Sequence, residues 1–374
     1  MIILAAAIIL SLSNSGIIGK ANKAKTDTDT ASAKDVVAMA HADWVVDEAK
    51  IKTEEITAFS KYAENKLEEA GYKVGAGEDK YTVTDDGEIY VGLTEGARLA
   101  ITSGIKIGDE VKYNAVLTAK SYTTDGSEQS STGAADNTKK QTVKTNTSYT
   151  WKYVGIGEDG SLLIVPDMPT GTVAADYRMT LKDKGGYLKG PEMLNTVCNA
   201  LYTVEGKGIA NCMNIELVNK LLEYNGPKGR YYDVNGKTIE TAEPKTIGET
   251  GLVSSLGSNT KTPDGKDMNT YKLDYYNISI KGHASRITKD TVRQNLVCQS
   301  NSYWLDSVCS FAHFNDGFVN FAVRYVAPDG VYVFAMLSST GNPGSSNCVI
   351  RPVVSLTSNV QKTTENGKTV WTLS

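Results

Sequence analysis

The side chains able to do acid–base, nucleophilic or metal chemistry are few and scattered. The chain has 374 residues, with three histidines and five cysteines. His41 falls in an N-terminal helical stretch, His283 in the loop-like Lys281-Gly282-His283-Ala284-Ser285, and His313 shortly after Cys309. Cys309 with His313 is a nucleophile and a base at short spacing. In an oxidising compartment, however, a cysteine among other cysteines is more often bridged than catalytic. Cys198, Cys212, Cys298, Cys309 and Cys348 include no C-x-x-C pair, so neither a zinc site nor a thioredoxin-like site is expected. Their odd number allows two bridges and one free thiol, with the pairing left open. No G-x-S-x-G elbow, P-loop, H-E-x-x-H or G-x-G-x-x-G context occurs. Asp85, Asp86, Glu158 and Asp159 sit in turns, where Asp supports the local backbone, and lack the spacing of an EF-hand loop. The sequence therefore predicts no enzyme, no cofactor and no metal site.

Binding is the chemistry that the remaining residues offer. Between Cys309 and Cys348 aromatic, small and polar residues mix without clean alternation. His313, Phe314, Asn315, Phe318, Asn320, Tyr332 and Phe334 cannot all enter one core if these are short strands, and exposed aromatics mark interaction sites. The competing reading puts Phe314, Phe321, Val323, Val333 and Met336 in the core and the rest in loops. Tyrosine is abundant, 20 against 6 phenylalanines. It suits binding surfaces, having an apolar face and a polar tip, or it fills exposed strands. A net charge of −4 gives no broad cationic field, so nucleic acid is not an expected partner. With 40% apolar and 22% charged residues a packed core is expected and global disorder is not.

The elements that must position these residues divide the chain. Met1 to Leu12 is apolar and uncharged, but shorter than the roughly 20 residues that span a bilayer. Lysines follow it at Lys20, Lys23 and Lys25 rather than precede it as in a secretory signal. Residues 1–27 are thus expected to be an incomplete apolar anchor helix with a basic flank. Residues 28–98 are expected to hold helices and a small sheet. Ala33 to Lys50 has helical spacing, and Thr53 is placed as the N-cap of a second helix that stops at Gly71. Tyr81–Thr84 and Glu88–Val91 flank an Asp85-Asp86-Gly87 turn. Residues 99–374 are expected to form one larger domain. It opens with a strand pair joined at Gly108-Asp109 and a mobile polar loop over 122–149. A hairpin follows around Glu158-Asp159-Gly160. Helices open at Gly190-Pro191 and at Asn214, and short strands and loops run from about 271 to the end.

Two resemblances accompany this reading. Ser15-Gly16-Ile17-Ile18 and Lys20-Ala21-Asn22-Lys23-Ala24-Lys25 resemble the N-terminal helix of Gram-positive type IV pilins and pseudopilins. The family's processing site and early glutamate have no counterpart, which implies that Met1 is an internal methionine of a longer precursor. The second runs over IKIGDEVKYN (105–114), WKYVGIGEDGSLLIV (151–165), GYLKGPEMLN (186–195), MNIELVNKL (213–221), YWLDS (303–307), FAVRYV (321–326) and IRPVVSL (350–356). In that order they resemble an uncharacterised surface domain of Gram-positive bacteria. Trp304 and the closing Arg351-Pro352-Val353 are similar to the end of C-type-lectin-like and formylglycine-generating-enzyme-like folds, without that enzyme's paired catalytic cysteines. The resemblances imply an α+β chain: a pilin-like helix with a small antiparallel sheet, then a mixed lectin-like domain. They imply a cell-surface protein anchored by its N-terminal helix. That helix would contact the membrane or other pilins, and the C-terminal domain an extracellular protein or glycan ligand. In retroelement-diversified lectin-like proteins the variable positions occupy this last segment, so the aromatic stretch is expected to be hypervariable. The alternative is a structural pilus or pseudopilus subunit without its own ligand.

Overall fold

The computed structural model describes residues 17–113, 120–124, 140–168, 173–252, 261–273, 278–279, 292, 295–296, 301–313, 318–327, 330–338 and 345–374. Backbone alone is described at 17–26, 183, 278–279, 311–313, 318, 330 and over 331–338 and 345–346. The chain is α+β with several sheets and separates into two compact units, residues 1–105 with 158–161, and residues 106–157 with 162–374.

The first unit begins with helix α1 (Ile17–Ile51), kinked at Asp47. Ala33, Val37 and Ala40, spaced to share one helix face, are buried against Phe59, Ala63 and Leu67 of α2 (Phe59–Glu69). The same core takes in Tyr81 and Val83 from the hairpin β1 (Tyr81–Val83) and β2 (Ile89–Val91). Thr53 does not cap α2. Its hydroxyl accepts from Ile56 N at 3.1 Å in a turn, and the helix starts at Phe59. Ala58, the residue before it, has no side-chain oxygen, and Asp85 of the hairpin turn accepts from Ser60 N at 3.1 Å instead. Gly71, at φ +90°, ends α2 as expected. A third helix, α3 (Glu95–Thr102), is capped by Thr94 and pairs Arg98 with the buried Glu64 at 3.2 Å. Among the described residues no helix is long and apolar enough to cross a membrane, and Met1 to Leu12 lies outside them.

In the second unit the strands follow as β3 (Glu110–Lys112), β4 (Ser121–Thr123), β5 (Thr142–Lys144), β6 (Thr150–Ile156), β7 (Leu162–Asp167) and β8 (Arg178–Lys182). Helix α4 (Asp183–Tyr202), β9 (Gly208–Cys212) and α5 (Ile215–Leu221) come next. Then come β10 (Gly229–Tyr232), β11 (Thr238–Thr241), β12 (Lys245–Thr246), α6 (Ile247–Thr250), β13 (Lys272–Leu273) and β14 (Ile278–Ser279). The chain closes with β15 (Tyr303–His313), β16 (Phe318–Ala327), β17 (Gly330–Ser338), β18 (Ser345–Val349), β19 (Pro352–Leu356), β20 (Val360–Glu365) and β21 (Lys368–Leu373). Two large sheets result. One is seven-stranded in the order β20-β21-β3-β6-β7-β19-β9, the other six-stranded in the order β14-β17-β16-β15-β18-β8. A single core joins Val154, Leu163 and Val165 of the first to Tyr303, Leu305, Val326 and Val349 of the second.

Several expectations need correction. The polar stretch 122–149 is not a loop at its ends. Strands β4 and β5 pair, and Val143, Thr145, Asn146 and Tyr149 are buried. The Gln141 amide donates to Thr180 O and accepts from Thr180 N, both at 2.7 Å, and so pairs with edge strand β8 as a strand would. Residues 125–139 lie outside the described ones. Helix α4 begins at Asp183, so Pro191 lies inside it rather than near its start. Buried Tyr187, Leu194, Val197 and Leu201 pack the helix into the unit, a tertiary gain that outweighs the roughly 3 kcal/mol cost of an interior proline. Before β3, residues 105–109 form a turn and not the first of two paired strands. In the last third β15, β16 and β17 are long, at 11, 10 and 9 residues, whereas β13, β14 and β18 to β21 are short as expected. The hairpins at Asp85-Asp86-Gly87 and Glu158-Asp159-Gly160 form as read.

Arg351 stands where the chain leaves β18 of one sheet and enters β19 of the other. It is 1% exposed. Its Nε donates to Pro166 O at 2.8 Å, Nη1 to Leu296 O at 2.9 Å and Nη2 to Asn295 O at 2.6 Å. Its guanidinium lies 4.7 Å from the centroid of the Tyr303 ring. Arg351→Met should lower stability by about 2–4 kcal/mol, because buried carbonyls lose their donors. Arg351→Lys should recover only part, since an ammonium cannot reproduce the flat fork. Urea unfolding followed by tryptophan fluorescence would measure both, and a loss under about 0.5 kcal/mol for the methionine variant would refute the role.

Candidate functional site

The sequence-predicted site falls on strands β15 to β17 and their connections. Phe314 and Asn315 lie outside the described residues. The backbone register sets His313 opposite Phe318, Asn320 opposite Phe311 and Ser338, Tyr332 opposite Tyr325, and Phe334 opposite Val323. Successive strand positions alternate between faces. Positions 318 and 320, with 313 opposite, therefore belong to one face of the sheet, and 323 and 325, with Phe334 and Tyr332 opposite, to the other. The predicted residues do not share a face. Position 321, of the same parity as 323 and 325, is on the face that α4 covers: the Phe321 ring meets Tyr187 of α4 at 5.4 Å and Tyr271 at 5.3 Å. Asn320 is half-buried, while Phe321, Ala322, Val323 and Arg324 are at most 1% exposed. Central strand β16 is thus buried on both faces over this stretch. Phe321 and Val323 belong to the core, as the competing reading had them.

Cys309 and His313 are four residues apart on one extended strand, which separates their backbones by roughly 13 Å, too far for a nucleophile–base hydrogen bond. Cys198, Cys212, Cys309 and Cys348 are buried free thiols, and Cys298 lies outside the described residues. His41 is an edge-to-face neighbour of Phe59 at 5.1 Å in the first unit. Among the described residues no three His, Cys, Asp or Glu side chains converge as metal ligands. About half of the described tyrosines are buried. Tyr113, Tyr149 and Tyr202 surround Trp151 with ring centroids 5.0 to 6.3 Å from it. Tyr113 donates to Tyr202 O at 2.8 Å. Its ring fits because residue 208 is glycine, where a Cβ would stand 3.1 Å from it and 2.6 Å from Val354. Burial pushes the Tyr149 phenol up to about 12, against a weaker opposing pull from Arg351, and holds Tyr202 well above the usual range.

A concave feature of the second unit lies elsewhere. A cleft of about 520 Å³ is lined by α5, the segment after it, Lys228 before β10, Glu243 and Pro244 after β11, and Lys272. Helix α5 is set by Asn214, whose side chain accepts from Leu217 N at 2.7 Å. Its buried Ile215, Val218 and Leu221 turn Glu216 and Lys220 toward the cleft. Glu223 follows in a left-handed conformation at φ +48°. The far wall carries Lys228 and Glu243, paired at 3.2 Å, with Pro244 and Lys272. Both charge signs thus line the cleft. Such a lining supplies donors and acceptors to a hydroxyl-rich or zwitterionic ligand, and it contains no cysteine, serine or histidine nucleophile. Sequence reasoning read α5 only as a helix. The signal was there in Glu216 and Lys220, four apart on one helical face, with Glu223 just past the helix end.

Beside the cleft, Asp306 is a half-buried carboxylate. Asn195 Nδ2 donates to its Oδ2, and its Oδ1 has no hydrogen-bond partner. Burial, then the charge of Glu216, raise its pKa against the pull of Asn195. A raised carboxylate pKa means the folded state binds the proton more tightly than the unfolded one. Asp306 therefore costs stability as pH climbs from about 4 through its folded pKa, and the cost persists above it. Asp306→Asn should be more stable than the parent at pH 7, by at most about 1 kcal/mol after solvent screening, with the advantage gone below about pH 4. Urea titrations across that range check the sign.

Compared with protein families, with curated proteins and with solved structures, the chain matches none.

Proposed function

We propose that this chain is a surface-displayed, pilin-like protein whose second unit recognises an extracellular protein or glycan, and that it is not an enzyme. The observation carrying the reading is the cleft along α5, a concave surface with donors and acceptors of both charge signs and no cysteine, serine or histidine. The long helix α1, packed on a short helix and a small hairpin, supports the pilin-like part. In this reading the N-terminal segment holds the protein at the membrane or among other pilins, and the lectin-like second unit projects outward. Glu216, Lys220, Lys228 and Lys272 contact the ligand.

A second reading, a pilus or pseudopilus subunit without its own ligand, draws on Met39, Val45 and Val46, which α1 leaves 63%, 67% and 79% exposed.

The test is binding of the full chain to a glycan and protein-surface array, beside a Lys220→Glu, Lys228→Glu double variant. Binding by the parent and a loss of at least tenfold in the variant, with unchanged circular dichroism, is the expected result. Binding that survives the charge reversal removes the cleft from the proposal. No binding by the parent, together with concentration-dependent assembly lost in Val45→Lys, favours the filament subunit.

A further inference from the structure

Helix α4 and strand β9 follow one another in the chain and lie side by side through two amides. Asn195 Oδ1 accepts from the backbone N–H of Cys212 at 2.9 Å, and Asn199 Nδ2 donates to Ala210 O at 3.3 Å. Residues 195, 198 and 199 share one face of a helix. That face carries Cys198 toward Cys212, and Cys198 together with burial pushes the Cys212 thiol well up. The two cysteines are 0% and 5% exposed. The Cys212 thiol also reaches Trp304 O at 3.6 Å, a weak bond whose loss costs little. Neither cysteine lines the cleft.

We propose that Cys198 and Cys212 are a disulfide-forming pair that staples the C-terminal half of α4 to β9 when the chain folds in an oxidising compartment. The compartment rests on the display reading above, whereas the pairing does not. The step is thiol–disulfide exchange with a disulfide donor, an oxidoreductase or oxidised glutathione. One cysteine thiolate attacks the donor disulfide and expels one donor sulfur. The second cysteine then attacks the mixed disulfide. One S–S bond forms as another breaks, and the donor leaves as two thiols carrying the two protons that the cysteines lose. Both sulfurs are shielded in the packed unit, so exchange precedes the docking of α4 on β9, and the finished bond is sheltered from reductants.

The experiment refolds the full chain in a glutathione redox buffer, alkylates it in denaturant, and maps tryptic peptides without reduction. The expected product joins residues 190–207, which hold Cys198, to residues 208–220, which hold Cys212, and is lighter by two hydrogens than the unlinked pair. Cys198→Ser should abolish the link and leave Cys212 alkylated. If that variant does not fold, the map of the parent decides. Alkylation of both cysteines in the refolded parent, or a bridge from either to Cys298, Cys309 or Cys348, overturns the proposal.

Discussion

The second unit is organised around a buried cation. Its two large sheets share one core, and the chain passes from one to the other at Ile350 and Arg351. A guanidinium removed from water needs its donors satisfied, or the fold bears a cost of several kcal/mol. Here Pro166 at the end of β7 and the Asn295–Leu296 segment turn carbonyls toward it, and Tyr303 of β15 supplies the ring face. No carboxylate is among these partners. The acceptors come from places far apart in the chain, so they assemble only when both sheets and the intervening segment are in register. The adjoining backbone is fixed as well: Val349 N donates to Ser302 O at 2.9 Å and Ile350 N to Tyr177 O at 3.0 Å. Correct docking of the sheets and satisfaction of one cation are thus the same event.

The same logic recurs at smaller scale. Trp304, fully buried, donates from Nε1 to Met179 O at 2.8 Å, and so ties β15 to β8 across the intervening strand β18. Trp371 donates to Asp109 Oδ2 at 3.1 Å and ties the last strand to the turn before β3. Tyr202 donates nothing to solvent. Its hydroxyl accepts from Asn146 N at 3.1 Å, which accounts for a buried asparagine backbone in a polar stretch. These interior bonds are directional, and a core of Leu and Val alone would not specify which strand lies beside which. The abundance of tyrosine over phenylalanine reflects that need: an aromatic body fills volume while its hydroxyl meets a backbone group.

Local elements were legible where local physics decides them. The turns at Asp85-Asp86-Gly87 and Glu158-Asp159-Gly160 need glycine at positive φ, and both glycines have it, at +85° and +76°. The stop at Gly71 and the cap at Asn214 rest on the same kind of signal. What was illegible depends on distant partners. No residue near Phe59 announces that Asp85 will serve its helix N-terminus. Nothing in the polar run around Gln141 says that its amide will pair with edge strand β8. Pro191 reads as a helix start because the burial that carries α4 across it is tertiary. The hairpins and helix ends followed from local pattern, whereas the two-sheet arrangement did not.

The aromatic stretch and the charged cleft make opposite use of strand position. An aromatic residue is a useful anchor for a ligand only where the sheet leaves its face open. At β16 the residues Phe321 to Arg324 are closed off from solvent on both faces. A run of mixed residues there is what a doubly covered strand looks like in sequence: alternation vanishes because both faces are interior. Helix α5 has the reverse character. Its apolar side is spent on the core, and its charged side faces a hollow that the β10–β11 hairpin walls off. Broken alternation in a strand is therefore ambiguous between exposure and double burial. A charged helix face opposite a salt-bridged wall is not ambiguous in that way, because its apolar side is buried and its charged side lines a hollow.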